Sequence, residues 1–130
     1  MEKRKGFTVL ELIVACVFAA LVLIFFFIQK ANVDAMDRDD TRKTAINAMF
    51  YSLEEDFFVK NGYYPETISE DNLKSMDPQL FTDPSGINLG SEGCTYSYEP
   101  ANCKDGKCKA YTLRATLEKE DTYTKRNRSN

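Results

Sequence analysis

Few side chains in this chain can do chemistry. His is absent, which removes the commonest general base and metal ligand. No Ser–His or Cys–His pair can therefore be assembled, and the sequence holds neither a phosphate loop nor a framed carboxylate dyad. No enzyme is expected, and no cofactor. The residue that raises a chemical question is Glu11. It lies in "KRKGFTVLELIVAC", residues 3 to 16, after a basic stub and a Gly–Phe junction, in an otherwise apolar run. A charge deep in a bilayer costs about 2.5–3.5 kcal/mol on insertion scales, so it persists where something compensates it.

The other reactive groups are four cysteines and scattered acids. Cys16 closes "IVAC", which looks like the lipobox of bacterial lipoproteins. Against that reading, Glu11 interrupts the apolar region of such a signal, and "VFAALVLIFFFI" follows where lipoproteins turn polar. Cys16 is read instead as a small apolar packing residue. Cys94, Cys103 and Cys108 fall short of the four ligands of a structural zinc site when no His is present. A disulfide is the favoured chemistry, and three pairings exist. Cys103 and Cys108 flank Lys104 to Lys107 across an expected turn, which favours that pair and leaves Cys94 over. Closing so short a loop is worth about 2 kcal/mol on the chain-entropy model. Asp77, Asp83 and Glu92 are oxygen ligands in a loop-rich region, but their spacing matches no calcium site, and they read as solvated loop acids. No metal is expected.

These groups are positioned by a chain of 130 residues, enough for one compact domain plus an appendage. The net charge of −3 is modest. No broad basic patch appears, so nucleic acid is not directly expected as a partner. Composition is split. Residues 7 to 28 are nearly all apolar, and as a helix they rise roughly 33 Å, matching a hydrocarbon core of about 30 Å. The run overshoots the 7–15-residue core of a cleaved secretory signal. Lys3, Arg4 and Lys5 precede it and belong on the cytoplasmic side, so the polar remainder faces outward, where disulfides persist in many cells.

The helical pattern does not stop at the membrane edge. No Gly or Pro occurs between Phe7 and Asn61. In "QKANVDAMDRDDTRKT" Asp34 and Arg38, and Asp39 and Lys43, stand at i,i+4 spacing on what reads as a solvated helix face. Ile46, Met49, Phe50, Leu53 and Phe57 then form one apolar stripe that a helix lays on a neighbouring element. Gly62 and Pro65 stop it. Residues 66 to 93 are loop-rich, with "SEDNLKSM" expected to start a short helix capped by Ser69. "CTYSYEP" and "KAYTLRATLE" alternate as the two strands of a hairpin turning at Gly106, with "DTYTK" as a weaker third. The fold class is α+β: a long N-terminal helix, half membranous and half amphipathic, packed on a small C-terminal antiparallel sheet. The expected divisions are 1–6, 7–28, 29–61 and 62–130.

The compound motif "KGFTVLEL", with the apolar run behind it, resembles the type IV pilin family, including the related pseudopilins of secretion and DNA-uptake machines. In that family a membrane peptidase cuts after the glycine and methylates the new N-terminal residue. The resemblance implies a six-residue leader cut between Gly6 and Phe7, N-methylation of Phe7, and Glu11 as the family's glutamate at the fifth mature position. Cutting places an ammonium on Phe7, which in a filament pairs with Glu11 of a neighbouring subunit. Beyond residue 60 the likeness is architectural. Many pilins carry a glycine and a proline inside the apolar helix, and the segment between them melts on assembly. Here Ala20 and Ile28 stand in those places, so a straighter helix is expected.

The implied function is a structural subunit of a type IV pilus, a helical homo-oligomer on the cell surface serving adhesion, twitching or DNA uptake. The implied partners are the prepilin peptidase, the inner-membrane assembly platform and, before assembly, the cytoplasmic membrane, crossed once with the N-terminus inside. Two alternatives stand beside it: a pseudopilin of a type II secretion or uptake machine, and a monomeric membrane-anchored binding domain. A generic signal anchor in which Glu11 matters little is the plainest rival.

Overall fold

A computed structural model describes residues 6–128. The architecture is α+β: a 53-residue helical stretch, Val9–Asn61, and a four-stranded antiparallel sheet. The chain divides into two compact units, one up to Ala35 and one from Met36. Helix α1 covers Val9–Tyr51 and gives way to a π-helical turn, Ser52–Phe57, before a last α-helical turn, α2, at Phe58–Asn61. Gly62 then takes the left-handed conformation, φ 76°, and its N–H closes on the Phe58 carbonyl at 2.7 Å. A residue with a side chain is strained there, so the expected stop acts by backbone geometry.

The π turn is not legible in the apolar pattern. Ser52, Leu53 and Glu54 are buried in succession, which one face of an α-helix cannot do. Widening the helix for one turn brings Glu54 inward beside Leu53.

In the second unit the stripe packs as expected. Ala45, Ile46, Met49 and Leu53 are fully buried, with Phe50 and Phe57 at the margin. They meet Tyr96 of β2 (Tyr96–Lys104) and Tyr111, Leu113 and Ala115 of β3 (Lys107–Ala115). Each fully buried apolar side chain of this size is worth about 1.5–3 kcal/mol, so these residues hold helix and sheet together. Strand β3 is central. It pairs β2 along its length, β1 (Tyr64–Pro65) at one end and β4 (Tyr123–Arg126) at the other. The two-residue β1 carried no strand signal.

The β2–β3 turn follows from its sequence. Asp105 and Gly106 both have positive φ, 54° and 77°, the geometry of a two-residue hairpin turn whose twist matches the flanking strands. Cys103 pairs with Cys108 in register and the two form a disulfide.

Two expectations need correcting. "SEDNLKSM" is a turn rather than a short helix. Ser69 Oγ does accept from Asp71 N–H, but the Asn72 side chain bridges back, accepting from Ser69 N–H and donating to the Thr67 carbonyl. Those local bonds close the turn before a helix can propagate. The short helical turn falls instead at Pro78–Phe81, where Asp77 caps it through Gln79 N–H and Pro78 enters at its start. The charged stretch after residue 34 is also not a purely solvated face. Asp39 and Arg42 are each only 2% exposed and pair at 2.9 Å. Arg38 and Lys43 reach across to Glu118 and Glu120.

Candidate assembly site

The N-terminal segment gathers the residues singled out by the sequence. Gly6, Phe7 and Thr8 precede the helix and are exposed, and Phe7 keeps 87% of its surface. A Cβ built on Gly6 would meet nothing within 4 Å, so the Gly6–Phe7 junction stands open. The basic residues Lys3, Arg4 and Lys5 lie outside the described residues, as does the leader except for Gly6.

Glu11 has a local partner that its spacing to Thr8 predicts and that the sequence reading missed. The Glu11 carboxylate accepts from the Thr8 N–H at 3.1 Å and from the Thr8 hydroxyl at 3.3 Å. In return, the Thr8 hydroxyl oxygen accepts from the Glu11 N–H at 3.2 Å. This is a capping box, Thr8 at the N-cap and Glu11 three residues on, satisfying two backbone donors that the start of the helix leaves without partners. All these carboxylate contacts are to Oε2. Among the described residues, Oε1 accepts no hydrogen bond. Gly6, Phe7, Thr8 and Glu11 line a shallow hollow of about 370 Å³.

The helix behind this site is uncovered. From Val9 to Ile28 every large apolar side chain keeps more than half its surface, and no part of the most apolar window of the helix is buried. One exposed apolar helix near the N-terminus is consistent with a membrane anchor or a signal sequence. Its exposure runs around the whole circumference, which a single apolar stripe would not give. Cys16 is a free, exposed thiol on this helix.

The other candidate groups have structural duties. Asp77 caps the Pro78–Phe81 turn. Asp83, 3% exposed, accepts from the N–H groups of Ser85, Ile87 and Thr95 and from the Thr95 hydroxyl. Burial alone would raise its pKa, but these bonds outweigh that and hold it below the usual range. Its oxygens are thus committed to shaping the loop. Glu92 is exposed and joins no metal-holding cluster among the described residues. Cys94 is free and half-buried; its thiol donates to the Ile87 carbonyl, and burial pushes its pKa up.

Two buried networks escaped the sequence reading. Asp39 accepts from Arg42 and from the N–H groups of Glu118 and Lys119, both at 2.8 Å. Burial again opposes the charged form, but these donors prevail and lower its pKa. Glu54 accepts from the hydroxyls of Tyr64 and Tyr111 and from Arg128 N–H. Burial, reinforced by the Glu54 charge, raises the pKa of both tyrosines well above the usual value. Each network is completed by partners more than 50 positions away, which no local spacing announces.

No protein-family model matches the chain, and searches of curated proteins and of solved structures find no significant match. The architecture itself is pilin-like: a long apolar N-terminal helix, a small antiparallel sheet and a disulfide.

Proposed function

We propose that this protein is a structural subunit of a type IV pilus, cut after Gly6, methylated on Phe7 and polymerised through its N-terminal helix. The observation that carries this reading is the open Gly6–Phe7 junction, followed within one helical turn by Glu11 at the head of an apolar helix exposed on all sides. Such a helix needs either lipid or copies of itself around it. In the membrane the carboxylate costs about 2.5–3.5 kcal/mol. An ammonium brought to about 4 Å in a partly dry helix bundle returns about 4 kcal/mol. The two magnitudes are close, so the pairing offsets the burial and favours the register in which it forms. Thr8 holds one carboxylate oxygen toward the helix, and the hollow beside it leaves room for an incoming amine. The role is structural rather than catalytic. Its partners are other copies of the chain, a prepilin peptidase and a membrane assembly platform. The subunit waits in the cytoplasmic membrane, N-terminus inside, and ends in the filament outside the cell.

Mass spectrometry of the native protein tests this: the expected mature chain begins at an N-methylated Phe7 and lacks two hydrogens for the disulfide. A mature N-terminus at Cys16 would overturn the proposal. Electron microscopy of sheared surface material separates the pilus from a short secretion pseudopilus, which shares the same helix chemistry but leaves no long filaments.

A further inference from the structure

The tip of the β2–β3 hairpin carries positive charge that no carboxylate pairs with among the described residues. Lys104 and Lys107 stand directly opposite each other in the strand register, on either side of the Asp105–Gly106 turn. Like charges in that arrangement destabilise a hairpin. Lys109 follows on β3, and none of the three lysines is in an ion pair among the described residues. The three, with Arg128, line a cavity of about 650 Å³ beside the end of α2. Asn102 and Asn127 add polar groups to the wall, and Tyr63 and Tyr64 add aromatic rings, but no carboxylate lines it. Lys107 Nζ lies 5.3 Å from the centre of the Tyr63 ring.

Local structural roles do not absorb this charge. Glu55 pairs with Arg128 and neutralises it. The C-terminal end of a helix attracts cations with only about half an elementary charge. Against the three lysines stands Asp105 in the turn, which does not line the cavity, so positive charge remains in excess on a hairpin held by the Cys103–Cys108 disulfide and a two-residue turn. A rigid support that keeps like charges together, at a cost to the hairpin, is what a site for an anion requires.

We propose that this cavity binds a phosphate-bearing anion with two or more phosphates, held by Lys104, Lys107 and Lys109. Lysine ammoniums are compact point charges suited to phosphate oxygens. Three of them exceed what one phosphate needs, and a cavity of this volume is in the range of small-ligand sites. The site lies wholly in the unit from Met36 and is independent of how the N-terminal helix assembles.

The test is calorimetric titration of the full chain in detergent micelles with inorganic tripolyphosphate. The wild type is expected to bind at one site, with affinity falling as salt is raised. The combined variant Lys104→Gln, Lys107→Gln, Lys109→Gln should bind at least tenfold more weakly. Lys74→Gln, an exposed lysine on another loop, should bind as the wild type does. All three target lysines are exposed, so the variant is expected to fold, which an intact disulfide and an unchanged near-ultraviolet tyrosine spectrum verify. A second titration, with a single-stranded oligothymidylate, separates the sources of phosphate. Tighter binding than tripolyphosphate, lost in the triple variant, assigns a nucleic-acid strand. Binding of tripolyphosphate alone assigns free or polymeric phosphate. No binding by the wild type, or equal binding by the triple variant, overturns the proposal.

Discussion

The apolar helix from Val9 to Ile28 and the unit from Met36 onward treat charge in opposite ways. The second unit buries three carboxylates and gives each of them three or four donors from its own chain: Asp39, Glu54 and Asp83. The helix has one carboxylate, Glu11, whose donors both belong to Thr8. The same contrast holds for apolar surface. In the second unit Ile46, Met49, Leu53 and Leu113 are fully buried, whereas the large side chains of the helix all remain open. One region covers most of its apolar surface and buried charge from within; the other leaves its apolar surface open.

Breaking the closed networks should have the largest effect. Asp39→Ala leaves the buried Arg42 with only its longer contact to Glu118, at 3.7 Å, and strands the N–H groups of Glu118 and Lys119. The expected loss is about 3–5 kcal/mol, read by urea unfolding of the full chain in micelles with tyrosine fluorescence as the probe. A cost under about 1 kcal/mol would mean that these bonds to Asp39 do not support the fold.

Next comes the disulfide. Cys103→Ser with Cys108→Ser should cost about 2 kcal/mol in the same assay, since the closed loop is short. The fold should survive, because most of the core, from Ala45 to Leu53 on the helix and from Tyr111 to Ala115 on β3, does not depend on the bond.

The equivalent cut at the head of the helix should barely register in folding. Thr8→Ala removes the cap and is expected to cost about 1 kcal/mol, seen as faster amide exchange over residues 9 to 12. Glu11→Ala should be similarly mild for the isolated chain, yet abolish filaments in the cell. If filaments persist in Glu11→Ala, the proposed pairing is wrong and the contrast between the regions loses its meaning.

Asp39 and Asp83 have folded pKa values below their ordinary 3.8, so their stabilisation is complete above that value and is lost as pH falls through the folded one. The tyrosines run the other way. Tyr96 is pushed up to about 12, mainly by burial, and Tyr64, Tyr98 and Tyr111 are raised too. Their neutral forms support the fold below pH 10, and that support disappears as pH rises toward the folded values. Spectrophotometric titration at 295 nm should show these four ionising late and together with unfolding. Early ionisation of all tyrosines would break the picture of a closed second unit.

Much of this was legible in local patterns. The span from Val9 to Asn61 follows from 55 residues without Gly or Pro, and the stripe from Ile46 to Leu53 from its repeat. The hairpin follows from alternation around Asp105–Gly106. Even the Thr8–Glu11 capping box was present in the spacing. What escaped had no local signature. The π turn exists because Glu54 must reach Tyr64 and Tyr111. The strand β1 exists because Tyr64 and Pro65 lie beside Cys108 and Lys107. The lysine cluster is short, and only the fold adds Arg128 to it.

Local composition is enough to place the uninterrupted apolar run, the turns, and the one carboxylate at the head of that run. These are properties of near neighbours, set by side-chain type and by backbone freedom at positions such as Gly62 and Gly106. Only the tertiary structure decided which charges are buried and what satisfies them. Asp39 reads like any solvated helix acid until Glu118 and Lys119 arrive from 79 and 80 residues away. The physical reason is that the cost of burying a charge is local, whereas the donors that repay it are brought by the fold.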